Sequence, residues 1–180
     1  MLYDFRHSQL IDRINKHIQH SCLISCFSTE VDSMLMWSHY ADSHKGFCLV
    51  YDISEVEPSN TIRKNLYSVL YSEDKFDIAY YIDDTLDAEY PCIASLCWKN
   101  KEWTYENEYR IVLPCTEGKC EPDLYDFIKP TQIYLGANIS QEDGDRIANI
   151  SLDKGIKVFQ MNCNSHKYAL EARELLWKRR

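Results

Sequence analysis

The sequence predicts an α+β fold: one domain over residues 1–180, with a mixed, mostly antiparallel sheet and three to five flanking helices. Three observations lead there. Short apolar runs of strand length alternate with segments of helical period, and turn formers such as Gly46, Pro58-Ser59-Asn60 and Gly136 punctuate them. No repeat, low-complexity stretch or linker divides the chain. At 180 residues, with 45% apolar and 13% aromatic content and 13 Tyr against 5 Gly, the chain can bury a sizeable core.

The elements follow in order. Ser8 can cap a helix whose stripe is Leu10, Ile11, Ile14 and Ile18, ending near His20. Cys22 to Phe27 reads as a strand stopped by Ser28-Thr29-Glu30. Ser33 to Ser43 is a short helix or helical turn, broken by Gly46, and Phe47 to Asp52 is a strand with Phe47, Leu49 and Tyr51 on one face. A strand is expected from Leu66 to Tyr71 and a helix from Asp77 to Tyr90. Pro91 suits the opening of a further helix, Cys92 to Trp98, because a first turn tolerates its missing N–H. Tyr109 to Leu113 is a strand ended by Pro114, and Gln132 to Leu135 another closed by Gly136. Ser140 and Asp143 form a capping box for a helix through Ile150, with Gly155 as its C-terminal cap and Ile156 to Met161 as the next strand. Tyr168 to Trp177 fits neither pattern.

Charge narrows the function. With 28 Asp plus Glu against 20 Lys plus Arg the net charge is −8, and the only basic cluster is Lys178-Arg179-Arg180. Bulk nucleic-acid binding is therefore not expected, although a small nucleotide remains open as a partner. Met1 to Gln19 is too polar for a signal peptide, and no apolar run reaches membrane-spanning length. A cytoplasmic protein is expected, with its eight Cys as reduced thiols. Spacings such as Cys22-x3-Cys26, Cys92-x4-Cys97 and Cys115-x4-Cys120 miss the two-residue zinc knuckle, so core packing is the expected use and no metal is assigned.

The densest chemistry lies in Trp103 to Arg110, W-T-Y-E-N-E-Y-R, where Glu106 and Glu108 flank one residue at the start of a strand. In extended backbone they share a face and raise each other's pKa unless neutralised; Arg110, two residues on, is the expected neutraliser. Trp98, Trp103 and Tyr105 crowd the approach, which suits a flat heterocycle beside a half-dry carboxylate able to act as a base. The plainer alternative is a surface ion-pair ladder with Lys99, Lys101 and Arg110.

A second concentration is Trp37-Ser38-His39-Tyr40 with His44. Either imidazole could bind a ligand or move a proton near neutral pH, or simply hydrogen-bond the backbone around Gly46. Ser25-Cys26-Phe27-Ser28-Thr29 puts hydroxyls at a strand end, where they could orient a nucleotide or cap the next turn. Nothing in the sequence lowers the pKa of Cys26, so it is not expected to be a nucleophile.

The blocks S-C-F-S (Ser25–Ser28), M-W-S-H-Y-A-D-S-H-K-G-F-C-L (Met36–Leu49), K-x-x-x-W-x-Y-E-x-E-Y-R (Lys99–Arg110) and I-Y-L-G (Ile133–Gly136) resemble a widespread bacterial family of unknown function. A weaker resemblance is to ADP-ribosyltransferase-like domains, through strand-end serines followed by Glu-x-Glu entering a strand. It implies NAD as substrate, with Ser25 and Ser28 lining it, Glu108 stabilising the oxocarbenium-like sugar and Glu106 on the acceptor side. Trp37, His39, Tyr40, His44 and Arg110 are then further cofactor contacts. Relatives of the first family carry an extra opening segment, so the chain is expected to be N-terminally abbreviated, with Leu2 to Arg6 as a remnant and Arg6 in place of the NAD-gripping residue.

The expected function is cleavage of the nicotinamide–ribose bond with transfer of ADP-ribose to an acceptor or water, a chemistry compatible with a toxin or antiphage effector. The competing class is a non-catalytic nucleotide- or protein-binding module with an aromatic and His pocket. A third is a metal-dependent hydrolase built on His39, His44 and the glutamates.

Overall fold

The computed structural model describes residues 22–77, 89–115 and 128–176. The helix expected over Ser8 to His20, Leu2 to Arg6 and most of Asp77 to Tyr90 lie outside them. The architecture is α+β with mostly antiparallel strand pairing, as the sequence predicts, but among the described residues the pairing is spread over three sheets instead of one. The described residues group into two compact units. One contains 22–28, 59–77 and 89–115; the other contains 29–58 and 128–176.

In the first unit, β1 (Cys22–Ser28) and β3 (Leu66–Ser68) flank β6 (Glu108–Pro114), both antiparallel to it. The β1–β6 register runs unbroken from Cys22 opposite Pro114 to Ser28 opposite Glu108. A run rich in Ile, Val and Leu fits this central position, with Ile111 and Val112 buried between its neighbours. The strand expected over Leu66 to Tyr71 is two strands. Val69 donates its N–H to the Glu108 carbonyl at 2.9 Å, and the chain then leaves this sheet to form β4 (Leu70–Ser72), parallel to β5 (Trp98–Asn100). Periodicity cannot register such a change of partner, because both halves keep the same alternation.

Between β4 and β5 lies α3 (Glu89–Leu96), preceded in this unit by the single turn α2 (Thr61–Lys64), whose Ile62 N–H is capped by Asn60 at 2.8 Å. Pro91 lies two residues inside α3 as described, and the helix ends before Trp98, which belongs to β5.

The second unit is a four-stranded sheet, in the order β2 (Phe47–Val50), β7 (Gln132–Leu135), β8 (Lys157–Cys163), β9 (Leu170–Glu174), with one parallel pairing between β7 and β8. The ambiguous tail is thus the edge strand β9. One face packs Ile133, Leu135 and Val158 with Ile139 and Ile147 of α4 (Gln141–Lys154) and its approach. The other packs Met161 and Leu170 against Trp37 of α1 (Met34–Tyr40). Each fully buried aliphatic side chain contributes about 1.5–3 kcal/mol of transfer free energy. Ser140 caps α4 by accepting from the Asp143 N–H at 3.1 Å, and Gly155 at φ +67° closes it four residues beyond the expected end.

Six described cysteines form no disulfide: Cys22, Cys26, Cys48, Cys92, Cys97 and Cys163. Cys115 is disulfide-bonded, which corrects the expectation of reduced thiols throughout. The expectation rested on the expected cytoplasmic location, and Cys115 lies past Pro114, outside β6. No helix among the described residues is long and apolar enough to cross a membrane.

Candidate functional site

The two glutamates do not lie on one extended segment. A 3-10 helix, Lys101–Glu106, ends at Glu106, and Asn107 then adopts left-handed backbone (φ 41°) before β6 begins at Glu108. Asn is among the few residues that tolerate this region. The reversal turns both carboxylates inward, so that Glu106 is 2% and Glu108 6% exposed. The surface ladder is therefore excluded for this pair. Lys101 instead makes an exposed bridge to Glu73 at 2.7 Å.

Both carboxylates converge on one cation. The Lys99 ammonium donates to Glu106 Oε2 and, at 2.9 Å, to Glu108 Oε2. Arg110 grips Glu108 bidentately, Nε to Oε1 at 2.8 Å and Nη2 to Oε2 at 3.0 Å, while its Nη1 donates to the Leu96 carbonyl. Arg110 is the expected neutraliser; Lys99 is the second. The Tyr71 hydroxyl accepts the Glu108 N–H at 2.9 Å, and Ser28 Oγ donates to the Glu106 carbonyl at 2.6 Å. Lys99 Nζ lies 5.1 Å from the centroid of the Trp103 ring, which stands 6.0 Å from Tyr105. Trp98 alternates away from Lys99 along β5 and packs against Phe76, with its indole N–H on the Asp74 carbonyl.

Burial by itself would raise the Glu108 pKa. Hydrogen bonds from Arg110, Cys26 and Lys99, with the charge of Arg110, outweigh it and hold the group at about 2. Glu108 is thus a permanent anion and not the neutral-pH base expected of a half-dry carboxylate. The opposite happens to Cys26, which faces Arg110 across the sheet: burial, its hydrogen bond to Glu108 and that carboxylate's charge push the thiol up to about 11. It is no nucleophile at neutral pH, as its sequence context suggests.

The unbroken β1–β6 register places Cys26, Ser28, Glu108 and Arg110 on one face and Ser25 on the other, opposite Ile111. Ser25 and Ser28, three apart in a strand, cannot line the same ligand from one side.

Trp37, His39, Tyr40 and His44 belong to the other unit. Trp37 is a core residue, 5% exposed, with its indole N–H on the Val31 carbonyl at 2.7 Å, which leaves no open ring face for a ligand. His39 and Tyr40 are exposed, their rings edge-on at 6.4 Å. The chain after α1 passes through three consecutive left-handed non-glycine residues, Asp42, Ser43 and His44, each costing roughly 1–2 kcal/mol. Hydrogen bonds compensate: the His44 N–H donates to the Trp37 carbonyl at 3.1 Å, the Asn138 N–H to the His44 carbonyl at 2.9 Å, and the Asn138 side-chain amide to the Ser43 carbonyl at 3.1 Å. Ser38 Oγ donates to the Met34 carbonyl and sits 3.0 Å from His44 Nε2, so the imidazole donates from Nε2 and leaves buried Nδ1 without a partner. That makes Ser38 a hydrogen-bond bridge and not an activated hydroxyl.

Lys99, Tyr71 and Cys26 are the site members that sequence reasoning did not assign. Lys99 carried a signal, as the first residue of the K-x-x-x-W-x-Y-E-x-E-Y-R block. Tyr71 carried none. Among the described residues, no group of three or more His, Cys, Asp or Glu side chains is arranged to hold a metal ion.

Residues 36–111 match the family described as "Protein of unknown function (DUF2971)". The match takes in the Met36–Leu49 and Lys99–Arg110 blocks, and so supports the likeness to a family of unknown function over that stretch. No curated protein and no solved structure matches the chain.

Proposed function

We propose that the protein is an ADP-ribosyltransferase-like enzyme that breaks the nicotinamide–ribose bond of NAD and passes ADP-ribose to an acceptor or to water. The observation that supports this most is the buried pair of Glu106, at the end of the 3-10 helix, and Glu108, at the start of β6, with Ser28 directly opposite Glu108 in the register. In the reaction the ribosyl C–N bond breaks, its electron pair leaves with nicotinamide, and the sugar carbon becomes cationic. The acceptor's lone pair then closes the new bond and its proton is released. A carboxylate held ionised at every physiological pH suits stabilisation of that cation, which needs charge and not proton transfer. Glu106 would orient the acceptor. Lys99 and Arg110 offset part of this charge, so the substrate must take over some of their hydrogen bonds. A cytoplasmic location and a toxin or antiphage role belong to the same proposal.

One observation favours the second reading, a non-catalytic nucleotide- or protein-binding module. Both Glu108 oxygens are already bonded to cations within the protein, as in a structural clamp. Calorimetry with NAD and ADP-ribose, run beside an assay for released nicotinamide, separates the two. Release supports the enzyme. Binding without release supports the module and contradicts the enzyme.

A further inference from the structure

We propose that Tyr71 is a positioning residue for Glu108: its hydroxyl fixes the stretch of backbone from which the carboxylate is aimed. The inference rests on reading Glu108 as the carboxylate that faces the ribosyl cation. One short segment of chain holds the Glu108 main chain at both its N–H and its carbonyl. Val69 donates its N–H to the Glu108 carbonyl at 2.9 Å, and the Tyr71 hydroxyl accepts the Glu108 N–H at 2.9 Å. Between them the Leu70 N–H donates to the Cys97 carbonyl at 2.7 Å, which ties the same segment to the residue before β5.

The grip falls where the chain needs one. Asn107 is in left-handed backbone (φ 41°), and Glu108 follows it as the first residue of β6. A left-handed residue other than glycine persists only where its surroundings hold it. Freeing the Glu108 N–H lets the Asn107–Glu108 peptide rotate, and the side chain turns with it. The contact also joins two sheets. Tyr71 on β4 pairs with Lys99 on β5 in the parallel register, and the Lys99 ammonium donates to Glu108 Oε2 at 2.9 Å. One rung of β4–β5 thus supplies a contact to the Glu108 backbone and another to its carboxylate. Burial raises the Tyr71 phenol above its ordinary pKa, so the group is neutral at physiological pH. Tyr71→Phe therefore takes away a hydrogen bond without changing any charge.

The test compares the full-length parent with Tyr71→Phe by two readouts, amide hydrogen exchange followed by NMR and the kinetics of nicotinamide release. In folded Tyr71→Phe the Glu108 amide should exchange faster, while those of Ile111 and Val112 in the middle of β6 keep their parent rates. The kcat should fall by about tenfold to a hundredfold with the KM for NAD unchanged, because a displaced carboxylate weakens only the transition state. An unchanged Glu108 exchange rate, or a rise spread evenly along β6, overturns the inference. So does an unaltered kcat, or a loss confined to KM. A Tyr71→Phe protein that does not fold overturns it as well, since the hydroxyl would then serve the fold. Absence of nicotinamide release from the parent protein would remove the enzymatic reading, while exchange at Glu108 still decides whether Tyr71 holds that residue.

Discussion

Gly136 rests directly on the backbone of His44: a Cβ built on it would lie 2.1 Å from the His44 carbonyl oxygen and 2.8 Å from that of Gly46. The end of the I-Y-L-G block thus docks on the left-handed turn that closes the M-W-S-H-Y-A-D-S-H-K-G block, and the two motifs form one structure. Gly136→Ala must push backbone against backbone, so it should destabilise by about 1–3 kcal/mol or more. Gly144 lies inside α4, where an added Cβ meets only Leu135 Cδ1 at 3.8 Å and Ile139 Cγ2 at 3.9 Å. Gly144→Ala should therefore be neutral or stabilising by up to about 1 kcal/mol. Urea melts of the two variants should move in opposite directions, and equal shifts would contradict this packing.

Removing charge from Glu108 should cost far more than removing it from an exposed pair. Glu108→Gln leaves Lys99 and Arg110 undercompensated in a buried setting, a loss of about 3–5 kcal/mol. Lys101→Met breaks only the exposed bridge to Glu73 and should change stability by less than about 1 kcal/mol. Denaturant midpoints measure both, and a folded Glu108→Gln as stable as the parent would show that the pair is solvent-screened.

Acid sensitivity follows from the same group. The folded pKa of Glu108, about 2, lies below its ordinary value of 4.5. Its contribution is therefore complete above the ordinary value and disappears as pH falls toward the folded one. Stability should decline from about pH 4.5 to about pH 2, by on the order of 3 kcal/mol from this residue. In Glu108→Gln that part of the decline should be missing from a thermal-melting series against pH.

Cys26 should resist alkylation at neutral pH despite its position on an open part of β1, because burial and Glu108 hold its proton. Peptide mapping after iodoacetamide treatment should show Cys26 modified more slowly than a simple thiol. Glu108→Gln should accelerate it, since the acceptor's charge is gone. No acceleration in a folded variant would mean that the carboxylate does not reach the thiol.

The sequence carried the local elements well where one signal dominates. The Ser140 cap and Gly155 bounded α4, and Ile133 with Leu135 marked a buried strand. It also carried the Glu108–Arg110 pairing, because i and i+2 in a strand must meet. It misjudged Glu106, for which the same rule was applied across Asn107; a single left-handed residue there replaces the extended step. Lys99 was read as part of a surface ladder because a seven-residue separation says nothing until the 3-10 helix folds it back. Trp37 shows a different limit. An aromatic beside two histidines looks like a ligand platform, yet here it plugs a core against Met161 and Leu170. Periodicity registers which residues are apolar, not which neighbour covers them.

The most direct measurement is nicotinamide release from NAD by the purified protein and by Glu108→Gln, each confirmed folded by circular dichroism. The parent protein should release nicotinamide together with an equal amount of ADP-ribose, free or attached to an acceptor. The variant should be slower by roughly a hundredfold or more. No release from the folded parent, or equal rates from the two proteins, would contradict the assignment of Glu108 to the chemistry.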